Sequence, residues 1–276
     1  MKAGGAGPHS RLSRMARLYV ILMWASVRAR MQYKFDFISQ SLIQAVMALY
    51  DFFLIAVILW KFQSIAGWNI YEVGMLFASS RLGYGLYRMF GNELDRFEPY
   101  IIRGDFDSVL IRPYPTLFVL LSRNFDLSRV TWVAEGIGIG ALSAPGLLAA
   151  GTLTRAGLVH IACSALWSAL LFAAVGLATA ACAFWIVRIE ELQVFTLNAT
   201  GTACLYPLEI YPRWLRATLL YVLPIAMGNY VPVVYVLGKG GTALNLVLPP
   251  IASAVSLFLA YRFWQLGEAR YHSTGS

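Results

Sequence analysis

The residues able to do covalent or metal chemistry are few and scattered. The chain has three histidines and three cysteines among 276 residues. His9 and His272 lie in the terminal tails and His160 stands alone in an apolar run, so no histidine-based nucleophilic relay can be assembled. Cys163, Cys182 and Cys204 sit singly in apolar stretches, without the C-x-x-C spacing of a zinc site or redox motif, and read as buried free thiols. Neither an H-E-x-x-H nor a G-x-x-x-x-G-K-[ST] occurs, so the sequence offers no zinc-protease site and no phosphate-binding loop for ATP.

One acidic pair remains, Glu190-Glu191. A CAAX-type intramembrane protease places an arginine after three further residues, and position 195 is Phe. The pair reads better as a solvated helix end. No catalytic, metal or cofactor residue is therefore assigned, and the chain is not expected to be an enzyme.

The elements that must position the polar residues follow from composition. Hydrophobic types make up 59% of the chain and charged types 13%, against about 25% charged in an average soluble domain. Mean hydropathy is +0.63. A soluble fold would lack the charge to cover its surface, and disorder needs the opposite composition. The expectation is an all-α integral membrane protein, read as one domain.

A crossing helix needs about 20 apolar residues. Six spans are predicted, at 38–60, 70–90, 128–150, 158–187, 191–207 and 243–262, within a membrane domain at 38–263. The run at 217–238 is apolar, but Pro224, Gly228, Asn229 and Pro232 interrupt it. Broken helices at membrane depth must be buried in protein or face water. Segment 208–238 is therefore read as external re-entrant half-helices, with a seventh span as the rival. The tail at 1–37 carries an amphipathic helix on the inner leaflet, with Leu12, Met15, Tyr19 and Leu22 on one face and Arg17 and Arg28 on another. A cleaved signal peptide is the alternative, disfavoured by Arg28, Arg30 and Lys34 directly after the apolar run. Residues 264–276 form the other tail.

With six spans, the charge acquires a meaning. Of 22 Lys and Arg residues, Arg81, Arg88 and Arg129 fall inside spans or at their ends. Lys61, Arg155, Arg213, Arg216 and Lys239 fall outside the cell, and the other fourteen fall within it. The positive-inside rule then puts both termini in the cytoplasm. The net charge of +8 records topology, and no nucleic-acid partner is expected.

Ionisable residues inside spans are costly and invite a role. Asp51 and Arg81 lie about 13 and 16 Å from the outer ends of their spans at about 1.5 Å per residue. An Asp51–Arg81 ion pair between neighbouring helices is predicted, as a structural lock or a substrate contact. Glu135 could pair with Arg129 or snorkel.

The cytoplasmic loop at 91–115 concentrates mixed charge. Gly104 can end one helix, Asp105 or Asp107 can cap the next, and Pro113 can stop it. A short helix presenting Phe106, Val109 and Leu110 suits a docking element for a cytosolic partner, and an ordinary interfacial loop is the alternative.

Two segments carry a family resemblance. Ile102-Arg103-Gly104-Asp105-Phe106-Asp107, continuing to Leu110-Ile111-Arg112-Pro113, resembles the IRxGxxDxxLxRP signature of bacterial ABC-2-type permeases. Tyr206-Pro207-Leu208-Glu209-Ile210-Tyr211-Pro212-Arg213-Trp214-Leu215-Arg216, with Pro224, Asn229 and Pro232 downstream, resembles that family's YPxxIYPxWLR segment. The tail Phe263-Trp264, Gly267 and Arg270-Tyr271 adds a weaker match in the same order.

The resemblance implies the permease subunit of an ATP-binding cassette exporter in the bacterial inner membrane. Two cytosolic ATPase subunits, holding ATP and Mg, would dock beneath it, and a second permease, identical or related, would pair with it among membrane lipid. Arg103, Gly104, Asp105, Phe106, Asp107, Leu110, Arg112 and Pro113 would form the coupling region, with Phe106 as apolar anchor. Phe195, Asn198, Thr200, Thr202 and Tyr206 on the fifth span mix polar and aromatic character and would line a path for an amphiphilic, lipid-like or drug-like substrate. An ion-coupled secondary carrier using Asp51 and a non-transporting membrane anchor are the alternatives.

Overall fold

A computed structural model describes residues 17–25, 27–28, 35, 38–39, 42–47, 50, 53, 57, 64–186 and 188–271. Residues 17–25 and 42–47 are helical. Most of the expected first span, Asp51 included, much of the N-terminal tail and the last five residues lie outside the described residues.

Helix α1 (Ile70–Gly91) starts on a capping box. The Asn69 side chain accepts from the backbone N–H of Tyr71 and Glu72, and Glu72 accepts from the backbone N–H of Asn69 at 2.8 Å. This satisfies orphan donors that would otherwise sit near the membrane surface. Short helices α2 (Glu98–Ile102), α3 (Asp107–Leu110) and α4 (Thr116–Arg123) follow. The long helices are α5 (Val130–Ala149) and α6 (Arg155–Ala181). Next comes a composite run at 190–203: α7 (Glu190–Gln193), a π-helical segment (Val194–Ala199) and α8 (Thr200–Ala203). Then come α9 (Arg213–Ala217), prolonged by a π turn at Thr218–Val222, α10 (Ala226–Val236) and α11 (Leu244–Arg270).

Small residues let these helices approach closely. A Cβ on Gly83 of α1 would lie 2.3 Å from the Ser168 hydroxyl of α6, and one on Gly228 of α10 would lie 2.5 Å from the Ser168 Cα. Three helices thus meet at one serine. Gly136 of α5 faces α1 in the same way, its Cβ position 3.0 Å from the Ala78 carbonyl oxygen.

Among the described residues, three helical stretches are long and apolar enough to cross a membrane: Leu127–Ala149, Arg155–Phe184 and Leu244–Arg270. They coincide with the spans expected at 128–150, 158–187 and 243–262. Helix α1 has the length, but Glu72, Arg81 and Arg88 keep it off that group. The expected span 191–207 corrects to a shorter helical run, 190–203, ending where Cys204 and Leu205 close the last turn. Segment 208–238 is broken as its prolines suggested: Arg213–Val222 and Ala226–Val236 meet at 109°. Counted as one span, that pair brings the described crossings to four. Leu219, Ile225, Ala226 and Asn229 of the segment are buried, in keeping with the rule that a broken helix at membrane depth must be buried in protein or face water.

Candidate coupling surface and polar relay

Loop 91–115 folds back on the bundle through aromatic rings. Phe106 is fully buried, with ring centroids 5.4 Å from Phe97, 5.4 Å from Phe184 and 5.0 Å from Tyr271. Trp264 of α11 packs on Phe97 at 4.8 Å. Val109 is buried as well. The expectation that Phe106 and Val109 face a partner is therefore corrected. Their rings and methyls gain more from the chain's own apolar core than from a surface, and they hold the loop in place. The outward residues are Arg103, Asp105, Leu110, Arg112 and Pro113, joined by Ile111, 84% exposed and the most prominent apolar side chain of the loop.

The turn between α2 and α3 uses Gly104 at φ +72°, a conformation glycine adopts without steric cost. The expected acidic cap is not formed. The residue before α3 is Phe106, and no side chain caps that end. Asp107 instead occupies the first helical position, where its charge suits the helix dipole.

The loop also grips the start of the composite helix at 190–203. Glu98 Oε2 accepts the backbone N–H groups of Ile189 and Glu190 at 2.7 and 2.9 Å. Gln193 Nε2 donates to the Leu94 carbonyl at 2.9 Å. Arg88, at the end of α1, then ties loop and helix together. Its guanidinium pairs with Asp95 and donates from Nη2 to Asn198 Oδ1 at 2.6 Å and from Nε to the Tyr84 hydroxyl at 3.1 Å. The Tyr84 hydroxyl donates to the same Asn198 oxygen at 2.7 Å, and Tyr87 donates to Asp95 at 2.5 Å. Burial pushes the Asp95 carboxyl above the usual carboxylate range, and the Arg88 guanidinium pulls it back only in part.

Asn198 lies inside the π-helical segment, a local widening that recurs at functional sites. Phe195, 62% exposed, Asn198 and Thr202 open outward from this run, Tyr206 is half-buried and Thr200 is buried. Four of the five expected path residues therefore lie on accessible surface.

The broken segment is pinned by its own motif. Asn229 Nδ2 donates to Ser80 Oγ, which donates to the Cys204 carbonyl at 3.0 Å. The Tyr211 hydroxyl donates to the Ala203 carbonyl at 3.1 Å. Pro207 precedes one short helix, Pro212 precedes α9, Pro224 sits in the bend and Pro232 is buried in α10. Trp214 is 69% exposed. At the far end, Lys239 Nζ lies 2.9 Å from Glu72 and donates to the Gly67 carbonyl at 2.9 Å.

Arg81 pairs with Glu135, Nε to Oε2, at 3.3 Å. Glu135 thus meets Arg81, while Arg129 pairs with Asp126 at 3.4 Å. The partner expected for Arg81, Asp51, lies outside the described residues.

The family profile described as ABC-2 family transporter protein matches residues 45–275, most of the chain. This chain belongs to the ABC-2 transporter family. It is a membrane protein and the permease component of an ABC transporter, a non-catalytic subunit whose work depends on ABC ATPase partners. No curated protein matches the chain. Sequence reasoning missed Arg88, Asp95, Glu98 and Ile111. Only the charge density of the loop pointed toward them: Glu98 acts on Ile189 and Glu190 and Arg88 on Asn198, far along the chain, and the exposure of Ile111 depends on how the loop folds.

Proposed function

We propose that this ABC-2 permease exports an amphiphilic substrate across the bacterial inner membrane, with both termini cytoplasmic. Two cytosolic ATPase subunits, which hold ATP and Mg, drive it, and a second permease copy or relative completes the path. The observation that carries this reading is the three-point attachment of the 91–115 loop to the helix at 190–203, through Glu98, Leu94 and the Arg88–Asp95–Asn198 cluster.

Arg103, Asp105, Ile111 and Arg112 form the docking tip. Ile111 supplies the apolar contact, and charges of both signs fix the register. When the ATPases close, the tip moves as a rigid body, because Phe106 and its aromatic neighbours lock it to α11. The attachment carries that motion to the π-helical segment, where Phe195, Asn198, Thr202 and Tyr206 face the path. The permease makes and breaks no covalent bond; it contributes a coupling free energy between nucleotide state and access state.

Co-expression with the ABC ATPases of the same genome tests the assignment. The wild-type chain co-purifies with the ATPase. The triple variant Asp105→Lys, Ile111→Asp, Arg112→Glu keeps its thermal stability and loses both co-purification and ATP-driven transport. Transport that survives ATP depletion and collapses with an ionophore would assign the chain to secondary carriers instead.

A further inference from the structure

We propose that the start of α1 carries a binding site for a primary ammonium ion, that the chain's own Lys239 fills it, and that α10 swings as a lever when Lys239 leaves. The inference goes beyond the export reading and takes from it only that this end of the bundle faces outward.

The Lys239 ammonium meets three groups of unlike kind. Its Nζ lies 2.9 Å from Glu72 Oε2, donates to the Gly67 carbonyl at 2.9 Å and stands 5.1 Å from the centre of the Trp68 ring. A carboxylate, a carbonyl and an indole face together select a cation that carries N–H donors. The cradle is built without Lys239. Ile65 and Trp68 exchange backbone hydrogen bonds at 3.0 and 2.9 Å, around Ala66 at φ +50° and Gly67 at φ +82°. The Glu72 oxygen that meets Lys239 also accepts the Asn69 N–H at 2.8 Å, so α1 keeps its cap when the ammonium departs.

Lys239 moves with α10. The Lys239 N–H donates to the Val234 carbonyl at 2.9 Å and the Gly238 N–H to the Tyr235 carbonyl at 3.0 Å, with Gly238 at φ +67°. This is a Schellman ending, which fixes the residue after the glycine to the helix. Both ends of α10 adjoin hinges. One is the 109° bend between Val222 and Ala226. The other is Gly240-Gly241, at φ +142° and +85° and exposed, where backbone rotation meets little steric cost. Asn229, near the bend, is bonded to Ser80 and marks the pivot. At the far end, Tyr230 stacks on Trp68 at 6.1 Å and Lys239 closes the contact. The Lys239 side chain is 20% exposed on an exposed loop, so its ammonium can pass directly into water. The deeply buried Arg81–Glu135 pair has no such exit.

The test is amide hydrogen exchange of the full-length protein in nanodiscs, read by mass spectrometry. Lys239→Ala should speed exchange several-fold at 226–237 and at 68–74. It should leave α5 as in the wild type, which also reports that the variant is folded. n-Propylammonium replaces the atoms this variant lacks. It should restore protection at 68–74, where the cradle is refilled, and leave 226–237 fast, because a free amine does not hold α10. Tetramethylammonium carries the charge without an N–H and should do neither. In the wild type, n-propylammonium raised well beyond the concentration that refills the variant should speed exchange at 226–237, as it displaces Lys239. Glu72→Gln keeps the helix cap, since glutamine serves at that position too. It should free 226–237 and abolish the response to n-propylammonium. Exchange at 226–237 that stays at the wild-type rate in both variants would overturn the proposal. So would equal protection by tetramethylammonium, or a wild type whose α10 ignores n-propylammonium. A chain facing the other way would give the same exchange pattern, so the orientation and the lever fail separately.

Discussion

The Arg81–Glu135 pair sets the terms at the scale of single residues. Both side chains are nearly excluded from solvent, at 8% and 6% exposure. Two buried charges repay their desolvation only in good geometry, and removing one strands the other. Arg81 gains further from the Phe77 and Trp132 rings, 5.2 and 5.6 Å from its guanidinium carbon. Arg81→Met alone should therefore destabilise the protein by about 3–5 kcal/mol. The double variant Arg81→Met, Glu135→Leu should recover most of that loss. Thermal unfolding in detergent reads the comparison, and a double variant no more stable than either single would show that the charges are not coupled. The sequence exposed the cost of Arg81 in an apolar helix but did not pair it with Glu135, and Asp51, the partner it expected, lies outside the described residues. Depth along a helix can be counted from its ends, whereas the neighbour and facing side depend on packing. The same gap explains Phe106. Its place in the signature suggested a surface anchor, and its burial depends on Phe184, Trp264 and Tyr271, far along the chain.

Elements join through side chains that bridge long separations. Apolar run length was enough to place the spans at 128–150, 158–187 and 243–262, because a helix that long has no soluble alternative. Proline and glycine marked the break in 208–238 for an equally local reason. The π-helical segment had no such mark. It arises where Asn198 must meet Tyr84 and Arg88 while Thr196 meets Thr179 at 3.1 Å, a demand visible only after α1, α6 and the composite helix are assembled. A test at this scale follows from the attachment. Glu98→Ala removes the acceptor for the backbone N–H groups of Ile189 and Glu190, and Asp95→Asn removes the charge that holds Arg88. Both should raise amide hydrogen exchange at 190–203, although neither residue lies in it, and leave α5 protected as in the wild type. Exchange that rises only at 92–98 would mean that the loop moves without moving the helix. At the crossing of α1, α6 and α10, Gly228→Val should cost about 1–3 kcal/mol by overpacking. The blocking atom is the Ser168 Cα, so no rotamer change can relieve the clash. Gly138, with nothing near its Cβ position, should accept the same change with little loss, as chemical denaturation of the two variants would report.

The whole molecule must place the docking tip on the side of the membrane where ATP is made available. The positive-inside count predicts that side from the sequence, and the fold supplies positions at which to test it. Ser108 in α3 and Thr152 in the turn after α5 are both exposed and lie at opposite ends of the α5 and α6 helices. Single-cysteine variants on a background with Cys163, Cys182 and Cys204 replaced by serine or alanine should label differently in intact cells. A membrane-impermeant maleimide should reach Thr152→Cys at once and Ser108→Cys only after permeabilisation. The reverse pattern would put the tip outside and remove the basis for ATP coupling. The Lys239–Glu72 contact gives the same frame a mechanical reading. It ties the start of α1 to the end of α10, while Arg88 ties the end of α1 to the loop and the composite helix. Helix α1 is thus clamped at both ends, on one side to the broken segment and on the other to the coupling loop. A displacement entering at Arg103–Pro113 therefore cannot be absorbed by α1 sliding alone. It must pass into 190–203 or break one of the clamps, which is the route by which, under the proposed mechanism, a small movement of the coupling loop would change access at the membrane.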